Sequence, residues 1–515
     1  MTRDDIPDLI LTNARVLTMD RHSPGAEAVA VKNGRIQRVE RNSDLRVSTS
    51  GKVKVIDCGR GTLMPGFHDA HMHLLAYAAS LLAVDCRPSS VNSIRDIALR
   101  IGERASHTPK GEWIRATGYD ETSLRECRHP TRRDLDEATS LHPVRLDHRS
   151  GHASVLNTMA LERVGIGDSF SEPPGATVER ELDTGSPSGL LLEMQDYLEN
   201  RTSAHSVKEI ESSVRVASKI LLAHGVTTVQ DATHHNSVSR WDFLGNLIKS
   251  AGDLPRVTLM PGYRHLPAFL ERGLHFGSGG PRLRTGHVKI MVTASSGSST
   301  PDKSELALMV SECVESGFPV AIHAVEAEVV RSAAEVIAAA ASDDVSSLHR
   351  IEHGSECPPD TLEVVARSAA KVVTQPSFVY QNGDRYLSTV DSGMLPHLYR
   401  VGSFMERGIE VAFGSDAPFG GPDPMHGISS AVERKTASGR ILAADESIGV
   451  LEALESYTAA SARASGIGGK VGTIMPGLHA DILLFEEDIT SARPERLIGL
   501  RPVMTMLGGR VVSES

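Results

Sequence analysis

Between residues 206 and 416, short apolar runs rich in β-branched residues alternate with amphipathic text of helical length, and this alternation constrains the fold more than any other feature. Seven runs stand out: VTTVQDA, RVTLMPGY, HVKIMVT, PVAIHA, HRIEHG, KVVTQPS and EVAFGSD. Segments such as SELALMVSECVESG and EAEVVRSAAEVIAAAAS lie between them. Strands that follow one another through helices pair in parallel, because a parallel return needs a crossover. An earlier run, LMPGFHDAHMH at 63–73, brings the count to eight. The reading is an α/β fold, a (β/α)8 TIM barrel. An open doubly wound sheet is the alternative, but no Gly-rich phosphate loop follows the first strand.

The ends of the chain read differently. DLILTNARVLTM, AEAVAVKNGRIQRVE and KVKVIDCG are strand text, and Asn33-Gly34 between alternating apolar residues signals a tight hairpin. Similar text returns in ADILLFEED and PVMTMLGGRVVSES. One small composite β-sandwich domain built from residues 1–60 and 470–515 accounts for both, with the barrel at 61–469 between them. From about 86 to 220 the text is polar, rich in Arg, His and Pro, without a strand and helix repeat. It reads as a large insertion after the first barrel strand, expected to cover the active site, since long excursions at that end of a barrel serve binding.

Net charge is -11, which gives no electrostatic case for nucleic acid or an acidic membrane surface and leaves a small-molecule substrate. The five cysteines, Cys58, Cys86, Cys127, Cys313 and Cys357, are scattered and odd in number, so neither a disulfide framework nor a zinc ribbon is indicated. A cytoplasmic location is expected, because the first residues lack a signal-peptide pattern and no long apolar run occurs.

On a strand, residues two apart share a face, so Asp69, His71 and His73 project together. Two imidazoles at a strand end make half of a metal site. Lys289, His323, His353 and Asp416 fall on or at the ends of later strands, where barrel enzymes keep their chemistry. Taken singly, each has a plain structural explanation: a snorkelling lysine, a core histidine, a helix cap. Jointly, coincidence is hard to sustain.

This set, with the opening Pro65-Gly66-x-x-Asp69-x-His71-x-His73, resembles the amidohydrolase superfamily. The stretches WIRATGYDE, PTRRDLDEA, SGH, GSDAP and PMHGISSAVER are similar to its YtcJ-like branch of metal-dependent hydrolases, which includes N-substituted formamide deformylases. The resemblance covers nearly the whole chain. It implies that His71, His73 and Asp416 hold one divalent metal and that His323 and His353 hold a second. Lys289, carboxylated by carbon dioxide, would bridge them. Zinc is the first choice, with iron, manganese and nickel suited to the same donors. Asp416 would move protons while metal-activated hydroxide cleaves an amide-type C–N bond of an N-acyl or N-formyl compound. Family habit suggests a homodimer.

Two departures matter. After the fourth strand many relatives carry Asp-Gly-Ser, whereas this chain reads VTASSGSSTPD. His323-Ala-Val-Glu326 resembles the His-x-x-Glu of mononuclear amidohydrolase deaminases, which opens a rival reading: a deaminase using Glu326. Glu326 opening the next helix is the plainer explanation. A second rival is a non-catalytic binding protein on the same barrel. Tyr119, His152, Arg350 and Gln375 are candidate substrate contacts, as is Asn157, while His234-His235 reads as a solvated pair.

Overall fold

The computed structural model of the protein describes residues 6–20, 22, 25–42, 53–199, 201–202, 206–250, 252–295, 298–340 and 346–514. Parts of the terminal strand text and of the VTASSGSSTPD loop lie outside them, namely 43–52 and 296–297. The chain divides into two compact units, one made of 1–74 with 218–515 and the other of 75–217.

In the first unit every expected barrel strand is present. Phe67–Met72, Val226–Asp231, Arg256–Leu259 and an unexpected short strand, Leu283–Thr285, form one four-stranded sheet in that order. Val288–Ile290, Val320–Ala324, Arg350–His353, Lys371–Thr374 and Val411–Phe413 form a second, five-stranded sheet. All neighbouring pairs are parallel. The strands are nearly fully buried, as β-rich runs covered on both faces should be.

The expected continuous eight-stranded ladder is therefore broken into two sheets. Isolated main-chain hydrogen bonds run between their margins: Lys289 N donates to Pro261 O at 2.8 Å, Asp416 N to His71 O at 2.8 Å and His73 N to Ala417 O at 2.8 Å. The chain leaves strand geometry at these margins. Asp416 adopts φ 55°, and the strand Phe67–Met72 shifts register twice against Val226–Asp231.

Helices follow the strands. Lys303–Glu315 starts from a capping box of Asp302 and Glu305, and Pro424–Glu433 is capped by Asp423. Ala327–Ala339 begins directly after the His323 strand, with Glu326 as its N-cap residue.

Strands from both ends of the chain share one six-stranded sheet, because Ile482–Phe485 pairs antiparallel with Thr62–Pro65. Leu9–Thr12, Ala28–Lys32, Arg35–Glu40 and Lys54–Asp57 form a four-stranded sheet. The hairpin at Asn33-Gly34 has φ 50° and 74°, the left-handed pair that a two-residue turn between twisted strands requires. Leu9, Val29, Leu63, Ile482 and Met506 belong to one apolar cluster that joins the two ends. These sheets lie in the same compact unit as the parallel strands, and the shared sheet reaches Pro65, past the expected boundary at 60.

The second unit starts at 75 rather than about 86 and contains an unexpected six-stranded sheet: Thr177–Arg180, Pro187–Leu192, Ala153–Leu156, Val144–His148, Ile114–Tyr119 and Val84–Asp85. Its strands read as polar because charges pair on one face. Arg145 Nε donates to Asp147 Oδ1 at 2.7 Å, two residues along the same strand. All five cysteines are free, and among the described residues no helix is long and apolar enough to cross a membrane.

Candidate metal centre

His71 is the penultimate residue of the strand Phe67–Met72 and His73 follows the strand, while Asp416 follows the strand Val411–Phe413 on the other sheet. Gly414 lets these margins meet: a Cβ there would lie 2.7 Å from His71 N. The result brings Asp416 Oδ1 to 3.0 Å from His73 Nε2 and 3.5 Å from His71 Nε2. One ligand atom from each of the three residues lies within 4.8 Å of the others. Donors each about 2.1 Å from a shared ion are roughly 3 to 3.5 Å apart, so this spacing suits a metal.

The two remaining histidines join the cluster. The His353 ring lies 4.8 Å from that of His71 and 4.5 Å from that of His323. His353 has φ 70°, a left-handed value uncommon outside glycine though less so for histidine than for most residues. This conformation breaks the alternation of the strand Arg350–His353, so the adjacent residues Glu352 and His353 both reach the His71 ring.

Three of these imidazoles have Nδ1 committed to a neighbour. His71 Nδ1 contacts Glu352 Oε2, His73 Nδ1 lies 3.0 Å from Thr233 Oγ1 and His353 Nδ1 lies 2.8 Å from Gln375 Oε1. Acceptors on Nδ1 keep the proton there and leave the Nε2 lone pair for a ligand bond.

Lys289 is almost fully buried on its strand, and its Nζ has no hydrogen-bond partner. Burial pushes its pKa down to about 8, against the pull of Glu352 and Asp416. Burial also lowers His71 and His353, helped by Lys289. Burial alone would raise Asp416, but His73, His71 and His353 overcome it and hold the carboxyl well below the usual carboxylate range.

Three buried atoms, His71 Nε2, Lys289 Nζ and Asp416 Oδ1, lack hydrogen-bond partners. Buried polar atoms are rarely left so. A cationic metal would satisfy the histidine nitrogen and the carboxylate, and it would satisfy the lysine as a carbamate. The donor set therefore fits a divalent metal.

Other candidates are placed elsewhere. Arg350 is fully buried and turned into the interior, with Nη1 donating to Gln230 Oε1 at 2.6 Å and Nη2 to Ala70 O at 2.8 Å. Its contacts are internal, unlike those of a substrate ligand. Gln375 holds His353. Glu326 is half-buried at its helix start, without a side-chain capping bond. Tyr119, His152 and Asn157 belong to the second unit. Tyr119 is buried with its hydroxyl 2.9 Å from His129 Nδ1, His152 is exposed beside Glu193, and Asn157 caps the helix Thr158–Val164. His234 and His235 are half-buried with ring centroids 3.7 Å apart, and burial, then the charge of His235, lowers the His234 pKa to about 3.

Two buried acids were not among the candidates. Glu352 is one. The other is Asp69, expected on one face with His71 and His73; its carboxylate is taken up by Ser415 N at 3.0 Å, Ser415 Oγ at 2.5 Å and His71 N at 3.2 Å, bracing the turn that carries Asp416. The Arg-x-Glu-His spelling was the available signal for Glu352, since opposite charges two apart in an apolar strand must find each other or a partner inside.

Comparisons with known proteins bear on this centre. The sequence model of the Amidohydrolase family matches residues 54–513. Over 531 residues the chain is 28% identical to the N-substituted formamide deformylase of Arthrobacter pascens, covering 98% of this chain and 97% of that protein. It is 25% identical to YtcJ of Bacillus subtilis, a protein named as an amidohydrolase, over 97% of this chain and 98% of that one. An uncharacterized metal-dependent hydrolase from Pyrococcus horikoshii has the same fold, with TM-score 0.76 at 23% identity over 95% of this chain and 99% of that chain. Such neighbours make the architecture a TIM-barrel-type α/β fold. The chain belongs to the amidohydrolase family, in its YtcJ-like branch, and is a hydrolase acting on carbon–nitrogen bonds.

Proposed function

We propose that this enzyme cleaves the amide-type C–N bond of a small N-acyl or N-formyl compound in a metal-dependent reaction. The observation that carries the reading is the approach of His71 Nε2 to Asp416 Oδ1 at 3.5 Å, both buried without hydrogen-bond partners as Lys289 Nζ also is. The two parallel sheets would be halves of a (β/α)8 barrel and the terminal strands a composite β domain. His71, His73 and Asp416 would hold one divalent ion, and His323 with His353 a second, zinc being the first choice. Such ions supply Lewis-acid polarisation of a carbonyl and lower the pKa of water.

The chain's own residues do the rest. Lys289, its pKa lowered by burial to about 8, is neutral far more often at neutral pH than an exposed lysine. Its Nζ adds to the carbon of carbon dioxide, loses a proton and becomes an anionic carbamate between the two histidine sets. Asp416 stays ionised because the histidines hold it so. It takes a proton from the attacking water as the oxygen bonds to the acyl carbon. As the C–N bond breaks, it passes that proton to the departing nitrogen, yielding a carboxylic acid and an amine.

The resemblance to the Arthrobacter pascens deformylase directs the test to N-formyl and N-acyl amines. Metal-loaded protein incubated with such a panel is expected to release acid and amine one for one, and a chelator is expected to stop it. Release of ammonia from heterocyclic amines, with no amide turned over, would favour the deaminase instead.

A further inference from the structure

Directly beneath the ligands lies a fully buried ion pair that the mechanism above does not use. Arg350 and Glu352 stand two apart on one strand, both with no exposed side-chain surface, and are joined through Nε to Oε1 and Nη2 to Oε2, the latter at 3.2 Å. The guanidinium is also tied to two strands of the other sheet, through Gln230 Oε1 and Ala70 O. Gln230 is held in turn by Ser465 Oγ at 2.7 Å and lies 3.2 Å from His287 Nδ1. Glu352 Oε2 ends this chain of contacts on His71 Nδ1.

An apolar set of similar volume would stabilise such an interior at least as well, because two charges taken out of water recover little from each other. The pair is also aimed: Arg350 meets both carboxylate oxygens, and one of them, Oε2, also meets His71 Nδ1. We infer that Glu352, locked by Arg350, is a positioning residue that keeps the His71 proton on Nδ1 and thereby sets the affinity of the His71, His73 and Asp416 site for a divalent metal. This rests on the reading of His71 as a ligand. Gln375 serves His353 separately, so the effect belongs to one of the two metal positions.

The probe is zinc alone, titrated against a competing chelator with no substrate present. Glu352→Gln keeps the size but offers one carbonyl oxygen to two donors. It is expected to weaken the tighter-coupled zinc by about 10- to 100-fold and to leave the second position within about twofold. Arg350→Lys keeps the charge and loses the fork, and is expected to give a smaller loss of the same kind. General destabilisation would weaken both positions together.

If neither variant folds, 15N-labelled histidine NMR of metal-free wild-type protein decides the point. His71 is expected as the Nδ1–H tautomer. The Nε2–H tautomer, equal weakening of both positions, or unchanged zinc affinity in Glu352→Gln would overturn the inference. Wild-type protein that binds no zinc would instead overturn the reading of the site beneath it.

Discussion

Asp416 meets two requirements that conflict in most carboxylates: it is buried, yet it stays ionised because three histidines surround it. Asp416→Asn removes the proton carrier while keeping the shape, and turnover is expected to fall by about 10²- to 10⁴-fold. Steady-state kinetics with parallel metal analysis check this. His68 shows the opposite case, an imidazole kept neutral by burial and then by the nearby Arg350 charge, with its pKa lowered from 6.5 to about 3. The unfolded chain therefore takes up this proton first, so its contribution is complete above about pH 6.5 and is lost as pH falls toward 3. The urea midpoint is expected to drop between pH 7 and pH 5, and His68→Gln is expected to flatten that drop. The ligands were legible because histidine, lysine and aspartate at strand ends have few other uses. Glu352 and Asp69 were not, because their role depends on which strand lies opposite.

Elements tell a similar story. The eight parallel strands were legible because β-branched runs bounded by helical text leave little choice. Leu283–Thr285 was missed, being three residues long and flanked by Arg282 and Gly286. The break between the two sheets was hidden because one margin turns on the left-handed conformation of Asp416, which the residue type alone does not impose. The strand near the C-terminus is tied to the parallel sheet by a buried bidentate pair, Arg256 Nε to Asp481 Oδ2 at 2.6 Å and Arg256 Nη2 to Asp481 Oδ1 at 2.9 Å. Asp481→Ala leaves the arginine buried with its charge uncompensated and is expected to cost about 3–5 kcal/mol, read from urea unfolding. A change within a few tenths would show that the terminal sheet is held by its apolar cluster alone.

At the scale of the whole molecule, chemistry is concentrated on strands of both parallel sheets, a place that only long-range topology creates. The sequence order of the ligands, spread from 71 to 416, is unintelligible without it. The internal sheet of the 75–217 unit stayed illegible because its charged residues pair along the strands. The most direct test of the account is elemental analysis of metal per chain, on wild-type protein and Lys289→Ala purified without chelators and with bicarbonate. About two divalent ions in the wild type, with substantial loss in the variant, is the expected result. A wild-type chain with no metal, or with one ion that Lys289→Ala leaves in place, would contradict it.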